Sequence, residues 1–176
     1  MVPLAFDEFA TAPLRLSASG LVRAPAASVF AELGDPSRWF PLMTSCVWRG
    51  QVGGVGSERD VHVRLLGRFC EKMLVWQPAA GDDQVARVTF TMTETSSPII
   101  SRMAEDYLVT PEPDGVRLDW TLAATPVLIA RPATPIVRWV LRRMFAKFRR
   151  RLEELAVAHA AMNRSSNDPV RGTPAS

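Results

Sequence analysis

One long amphipathic helix near the C-terminus most constrains this fold, because its apolar face needs a large partner surface. Apolar residues recur every three or four positions over residues 135–160, which predicts a single helix with one continuous apolar stripe. The stripe consists of Val137, Val140, Leu141, Met144, Phe145, Phe148, Leu152 and Leu155. Residues 126–135 before the helix contain three prolines and are predicted to be a connector. The rest of the chain must therefore supply an apolar surface that covers this stripe.

Seven predicted strands supply that surface. The first covers residues 14–24, with Gly20 marking a bulge or bend within it. The other six are 45–51, 56–65, 69–78, 84–95, 102–111 and 116–125. Val88, Phe90 and Met92 alternate with polar residues, which predicts that one face of the sheet is buried and the other is solvated. Short strands in close succession, separated by turn residues, favour an antiparallel meander.

Two short helices are predicted between the first and second strands. Pro25 favours the start of a helix over residues 26–33. Ser37 is a suitable N-cap for a second helix that ends near Met43. The predicted fold is therefore α+β: a curved seven-stranded antiparallel sheet wraps around the long C-terminal helix, and the two short helices after strand 1 close one end. Because such a sheet does not close tightly on a helix, we expect a cavity between them.

The sequence predicts one domain with a short extension at each end. Its 176 residues correspond to about one domain, and 47% apolar with 22% charged residues is typical of a folded chain. We expect an irregular lead-in over 1–13 and a single ligand-binding domain over 14–162. Residues 163–176 are small, polar and proline-containing, and they are expected to form a disordered tail.

The net charge of +3 is concentrated in one segment. Residues 131–151 contain eight basic and no acidic residues, so the other 155 residues carry 13 basic and 18 acidic groups, a net charge of −5. We expect these arginines to be solvated or to pair with acids such as Glu153 and Glu154. The alternative is a weak contact of Arg138–Arg151 with an anionic membrane. No specific nucleic-acid partner is expected, and the protein is predicted to be a monomer or a homodimer.

Several classes of site are absent from the sequence. It has only two histidines and two cysteines and lacks CxxC, HExxH and phosphate-binding glycine motifs, so we expect no metal and no cofactor. His62 is out of phase with Val61 and Val63 and is expected to face outward, which argues against a hydrolase triad. The longest uncharged stretch is eleven residues, too short to cross a bilayer. The simplest expectation is a cytoplasmic protein with reduced thiols.

The residues at the start of the predicted domain resemble a known family. Residues 22–33 (VRAPAASVFAEL), followed by Asp35 to Trp39 (DPSRW), are similar to the opening of the START-like, or SRPBCC, superfamily. Gly56-Ser57-Glu58-Arg59, Gly115 to Trp120 and the long final helix continue the resemblance over residues 14–160. This superfamily includes polyketide cyclases and dehydrases, lipid carriers and Bet v 1-like proteins. The resemblance implies a helix-grip fold with a hydrophobic ligand-binding pocket.

The resemblance also suggests which polar residues reach that pocket. It implies that Arg59 lies near the pocket rim, and the alternative is a solvated strand arginine paired with an acid. It favours an inward Glu71, although alternation alone leaves open which face of strand 69–78 lines the cavity. An inward carboxyl would be desolvated and suited to general acid or base chemistry. The alternative for Glu71 is a cross-strand ion pair with Arg59 or Arg87.

Other candidates follow from strand phase and from the helix stripe. Glu105 is in phase with Tyr107, whose hydroxyl is able to donate to a ligand carbonyl; an ordinary core tyrosine is the alternative. Glu71 and Tyr107 are the candidate catalytic residues. The complete set of predicted ligand-binding residues is Trp39, Arg59, Glu71, Phe90, Met92, Glu105, Tyr107, Trp120, Met144 and Phe148. For the aromatic residues, plain core packing is the alternative.

Three functions are compatible with these patterns. The first is binding of a lipid-like or polyketide-like small molecule without chemistry. The second is an enzyme of the cyclase or dehydratase kind that uses a pocket carboxylate and arginine without a metal or nucleotide cofactor. The third is a regulator that binds a partner or a membrane through the basic C-terminal helix.

Overall fold

Seven antiparallel strands form one curved sheet, as the sequence predicts. The structure is a computed structural model that describes residues 3–81, 83–128 and 134–166. The strands are β1 (Leu14–Val22), β2 (Met43–Arg49), β3 (Glu58–Val63), β4 (Gly67–Gln77), β5 (Ala86–Thr95), β6 (Ile100–Glu112) and β7 (Gly115–Pro126). Their order in the sheet is β1-β7-β6-β5-β4-β3-β2. The strands β2 to β7 therefore form the predicted meander, and β1 pairs with its last strand.

The segment between β1 and β2 contains one regular helix and one tight turn. Helix α1 (Ala26–Leu33) has the predicted limits. The second helical element is shorter than predicted and is a single 3-10 turn over Pro36–Arg38. Its N-cap is Asp35 rather than Ser37, because the Asp35 carboxylate accepts hydrogen bonds from the Ser37 N–H at 3.2 Å and hydroxyl at 2.6 Å. Pro41 has no N–H to continue a helix.

The long helix α2 (Thr134–Ser166) packs against the sheet along its apolar stripe. Phe145, Phe148 and Leu152 are buried, and these residues belong to the same core as the inward side chains of the strands. The first turns of the helix are less covered, and Val140 is 38% exposed. The helix continues six residues beyond its predicted end at residue 160. Residues 167–176, which belong to the predicted tail, lie outside the described residues.

Gly20 has a different role from the predicted bulge. Strand β1 pairs with β7 from Leu14 to Val22 without a shift of register, so the strand is regular at Gly20. A Cβ at this position would lie 2.7 Å from Cδ of Arg149. The Arg149 guanidinium crosses β1 here and donates to the carbonyl oxygen of Leu21. Gly20 therefore gives space for a side chain that ties α2 to the edge of the sheet.

The lead-in before β1 covers part of the outer face of the sheet. It contains a 3-10 turn over Phe6–Ala10. Leu4 is buried with Ala104 and Ala123 in a second, smaller apolar cluster, and its N–H donates to the Thr91 hydroxyl at 3.0 Å. The outer face of the central strands is therefore partly dry, which explains why small apolar residues occur there.

Candidate ligand-binding cavity

A cavity of about 520 Å³ lies between the concave face of the sheet and helix α2. Nine of the ten predicted ligand-binding residues line it: Trp39, Arg59, Glu71, Phe90, Glu105, Tyr107, Trp120, Met144 and Phe148. Met92 is not among the lining residues, because neighbouring side chains bury it completely (0% exposed). The cavity that the sheet and helix imply is therefore present, and most of the predicted residues face it.

Arg59 and Glu71 form an ion pair in the wall of this cavity. They are direct neighbours on β3 and β4, and Nε of Arg59 lies 2.7 Å from Oε2 of Glu71. Their side chains are only 2% and 3% exposed. The pair is cross-strand, as the alternative for Glu71 states, and Glu71 is also inward, as the resemblance favours. Arg59 is paired with an acid, but it is buried in the cavity wall, so the predictions of a position near the rim and of a solvated side chain are both wrong. The face of β4 that carries Glu71 is therefore the face that lines the cavity.

The Arg59 guanidinium has further partners inside the protein. Nη1 donates to the carbonyl oxygens of Leu33 and Gly34, both at 3.2 Å, at the C-terminal end of α1. Its Cζ lies 5.4 Å from the ring centroid of Trp48 and 5.1 Å from that of Phe90. Sequence reasoning found Arg59 from the resemblance and strand phase, but these carbonyl contacts depend on how α1 packs on the sheet. Arg59 is held by an anion, backbone oxygens and aromatic rings together.

Glu105 is the second carboxyl of the cavity, and two donors converge on it. The Tyr107 hydroxyl donates to Oε2 at 2.6 Å, and the Trp120 indole N–H donates to the same oxygen at 2.9 Å. Tyr107 and Trp120 are paired across β6 and β7, whereas Glu105 and Tyr107 lie two residues apart on one face of β6. The polar end of the cavity therefore consists of Arg59, Glu71, Glu105 and Tyr107.

Burial perturbs the protonation of all of these groups. Burial raises the pKa of Glu105 to about 7, against the Tyr107 hydrogen bond, and the Glu71 charge adds to the rise. Burial also raises the pKa of Glu71, although Arg59 opposes the rise. Burial disfavours the charge of Arg59, but the charge and hydrogen bond of Glu71 together with smaller contributions from Cys46 and Tyr107 outweigh it, and the pKa of Arg59 is raised. Burial and the Glu105 charge raise the pKa of Tyr107 well above its usual value, so its hydroxyl stays a donor.

Aromatic rings form the walls beside these polar groups. The Trp120 ring is parallel to Phe145 with centroids 5.6 Å apart, and Phe148 meets Trp120 edge-on at the same distance. Trp39 lies 5.9 Å from Phe148 and 6.1 Å from Tyr107. Such tilted and edge-on pairs are favourable and leave little freedom to the rings. The aromatic wall is therefore part of the core as well as of the cavity.

The remaining titratable candidates lie away from the cavity. His62 is exposed, as predicted, and its Nδ1 lies 2.9 Å from the Thr44 hydroxyl. His159 contacts the buried Glu32 at 3.4 Å, and Glu32 also binds Arg38 at 3.0 Å. These contacts join α2 to α1 and the 3-10 turn and have a structural role. Within residues 3–81, 83–128 and 134–166, no group of three or more His, Cys, Asp or Glu side chains is arranged to hold a metal.

The cysteines and the long helix give two further observations. Cys46 and Cys70 are free, and burial raises the pKa of the Cys46 thiol to about 11, which keeps it protonated. No helix in the described part of the chain is long and apolar enough to cross a membrane.

Sequence reasoning missed the residues at the open end of the cavity. Leu65 and Leu66 in the β3–β4 turn, Ile99 before β6, and Ile136 in α2 also line the cavity. Apolar residues beside turn residues were an available signal for the opening of the cavity, but the turns were interpreted only as breaks between strands. The cavity therefore has a polar end within the sheet and an apolar mouth between two turns and the start of α2.

The fold and this cavity define a helix-grip protein of the Bet v 1-like class. Among solved structures, the chain is similar to protein TTHA0849 from Thermus thermophilus, with a TM-score of 0.64, 17% identity, and coverage of 83% of this chain and 99% of that one. It is also similar to the di-domain aromatase/cyclase StfQ of the steffimycin biosynthetic pathway, with a TM-score of 0.60, 15% identity, and coverage of 90% and 55%. The structure of Ara h 8.0201 matches with a TM-score of 0.58, 13% identity, and coverage of 82% and 97%. At these identities the likeness shows the fold.

The chain belongs to the polyketide cyclase/dehydrase and lipid transport family, whose model matches residues 13–157. Uncharacterized proteins from Mycobacterium tuberculosis and Mycobacterium bovis are 31% identical over 144 residues, which covers 78% of this chain and 81% of theirs. Cyclisation of polyketides and transport of lipids both require a site for a hydrophobic small molecule. The family assignment made from the opening residues of the domain is confirmed.

Proposed function

We propose that this protein binds a hydrophobic small molecule in the cavity between the sheet and α2. The observation that carries the proposal is a largely apolar cavity of about 520 Å³ with a cluster of buried polar groups at the end within the sheet. This volume is within the range of about 300–1,000 Å³ that is typical of small-molecule sites. Membership of a family that joins polyketide enzymes with lipid transport supports the same conclusion.

The arrangement of the lining indicates the form of the ligand. Its apolar body would lie among Met144, Phe148 and the apolar residues nearer the mouth. A polar group would meet Glu105 and the Arg59–Glu71 pair, which offer both acceptors and donors. Because two carboxyls and one guanidinium occupy this end, a neutral hydroxyl or carbonyl fits better than a carboxylate, particularly above the pKa of Glu105 at about 7.

Ligand binding is tested with purified protein and a cavity-filling variant. Native mass spectrometry and organic extraction would identify a copurified molecule, and titration with an uncharged hydrophobic dye would measure binding. Leu141→Trp places a large side chain in the cavity and should abolish binding, whereas Val157→Trp, 43% exposed on the same helix, is the matched control. Absence of any copurified molecule together with absence of dye binding would refute the proposal.

A second candidate is an enzyme of the cyclase or dehydratase type. The observation that favours it is Glu105, a half-buried carboxyl in the cavity wall whose pKa is raised to about 7, because such a group accepts and returns protons near neutral pH. The Tyr107 hydroxyl would donate to a substrate carbonyl, and the Arg59 guanidinium, positioned by Glu71, would polarise that carbonyl. Turnover of model polyketides should fall in Glu105→Gln, Glu71→Gln and Tyr107→Phe variants that keep dye binding. Unchanged turnover in these variants would remove the residues from the mechanism.

The third candidate is contact of the basic segment, Arg138–Arg151, with a partner or an anionic membrane. Arg149 and Arg151 lie 3.5 Å and 2.9 Å from Glu153 and Glu154, which supports a structural role for that end of the segment. The start of the segment has no such partners among the described residues. A cytoplasmic location and a monomeric or homodimeric state stay predictions, to be tested by cell fractionation and light scattering.

A further inference from the structure

Five exposed apolar residues surround the mouth of the cavity. Leu65 in the β3–β4 turn is 89% exposed, and Ile136 and Trp139 in the first turns of α2 are 67% and 58% exposed. Ile99 and Val140 are also exposed. All except Trp139 line the cavity, so this set, named here the mouth rim, belongs to its opening.

Packing within the fold does not explain why the apolar side chains of the mouth rim are exposed. Leu65 has a φ of +70°, a left-handed conformation that is unfavourable for a bulky residue, and its side chain still points away from the core. Val140 belongs to the stripe that the sequence predicts to be buried, yet the sheet does not cover it. Ile136 and Trp139 extend the same uncovered end of α2. A cluster of exposed apolar side chains of this kind usually marks an interaction surface.

Basic residues lie in the same segments as the mouth rim, and the described residues contain no acidic partner for them. They are Arg64 and Arg68 in and after the β3–β4 turn, and Arg138, Arg142 and Arg143 on α2. All five side chains are exposed, and no ion pair to any of them occurs in the described part of the chain. The Arg143 guanidinium lies 4.7 Å from the centre of the Trp139 ring, so cation and apolar surface are contiguous.

The sequence around the mouth lacks negative charge. No Asp or Glu occurs in residues 61–70, 95–104 or 126–152, which are the segments that contribute the rim and its flanks. The chain outside residues 131–151 has a net charge of −5, so this distribution is local. The segments that form the mouth therefore carry exposed apolar and basic residues and no acidic ones.

We propose that the mouth rim docks on the surface of an anionic lipid bilayer. Exposed apolar side chains in the same segments as exposed cations match a membrane interface, where the apolar groups enter the boundary of the acyl chains while the cations meet anionic headgroups. Phosphate contacts of a nucleic acid would account for the cations but not for the exposed apolar side chains of Leu65, Ile136 and Trp139. The docking surface involves the start of the basic segment and two turns, rather than the whole of Arg138–Arg151.

Docking in this orientation opens the cavity toward the bilayer. A hydrophobic molecule would then pass between membrane and cavity without crossing water, a consequence that rests on the proposed ligand-binding function. The docking itself depends only on the rim and its cations. Its failure is therefore distinguishable from failure of ligand binding.

The experiment is cosedimentation of the full chain with phosphatidylcholine vesicles that contain about one third phosphatidylglycerol, at low and high ionic strength. We expect binding to these vesicles, weaker binding at high salt, and little binding to phosphatidylcholine alone. Leu65→Ser combined with Trp139→Ser should lower the partition coefficient by at least about tenfold. Val52→Ser combined with Val55→Ser is the matched control, since these valines are 70% and 73% exposed in the β2–β3 turn at the other end of β3.

Charge substitutions test the other half of the proposal. Arg138→Gln combined with Arg142→Gln should lower vesicle binding and its salt dependence, and Arg15→Gln combined with Arg151→Gln should leave both unchanged. Equal binding by the rim variant and the valine control would overturn the proposal. So would a dimer in light scattering that the rim variant dissociates, or binding to duplex DNA in place of vesicles. Dye binding by the same variants reports separately on the cavity.

Discussion

Replacement of Glu105 by glutamine should change how the stability of the protein depends on pH. Burial raises the pKa of this carboxyl from 4.5 to about 7 in the folded protein. When the pKa of a carboxyl is higher in the folded protein than in the unfolded chain, the free energy of unfolding is larger at low pH. It falls as the pH rises from the pKa of the unfolded chain to the pKa of the folded protein. At about 1.4 kcal/mol per pKa unit, the titration of Glu105 should lower the free energy of unfolding of the wild type by about 3 kcal/mol between these pH values.

The assay is urea unfolding of the wild type and of Glu105→Gln at several pH values from 5 to 8. The free energy of unfolding of Glu105→Gln is subtracted from that of the wild type, which cancels the contributions of the titrating groups that both proteins share. The difference should decrease by about 1.4 kcal/mol per pH unit as pH rises toward 7 and then become constant. Because burial is the main cause of the shift, high salt should change this curve little. A difference that does not vary with pH would refute the assignment of Glu105 as a buried carboxyl with a raised pKa.

Three further substitutions have defined outcomes. Arg59→Met should lower the free energy of urea unfolding by about 3–5 kcal/mol because it leaves a buried carboxyl unpaired, and adding Glu71→Leu should recover much of the loss; no recovery would contradict the pairing. Tyr107→Phe removes a donor to Glu105, so it should cost about 1–3 kcal/mol and move the Glu105 titration in the difference curve to higher pH. Gly115→Ala should destabilise the protein by more than about 1 kcal/mol in the same assay. Gly115 has a φ of +138°, and a Cβ there would overlap the backbone oxygen of Val22. A neutral result would refute that contact.

The sequence predicted most of the fold because its periodicities are long and unambiguous. The seven strands and the C-terminal helix each had enough apolar positions to fix their type, and their order allowed few architectures. The second short helix was overestimated because Asp35, rather than Ser37, caps a single turn. Gly20 was misread because its neighbour in space, Arg149, is far away in sequence.

The orientation of β4 was not predictable from alternation, and the structure gives the reason. The pairing of β4 with β5 shifts register between Cys70 and Glu71 and again between Met73 and Val75. Each shift interrupts the two-residue period, so one phase does not describe the whole strand. The convergence of Tyr107 and Trp120 on Glu105 was not predictable either. It depends on the register between β6 and β7, and the pattern of residues within one strand does not contain that register.

The contact of Arg59 with the end of α1 has a consequence for the proposed binding of a ligand in the cavity. One guanidinium binds the carboxylate of Glu71 and also the backbone oxygens of Leu33 and Gly34, at the negative end of the α1 dipole. A ligand group that competes for Arg59 therefore weakens the attachment of α1 to the sheet. The segment that follows α1 carries Trp39, so a shift of α1 would move this wall of the cavity as well.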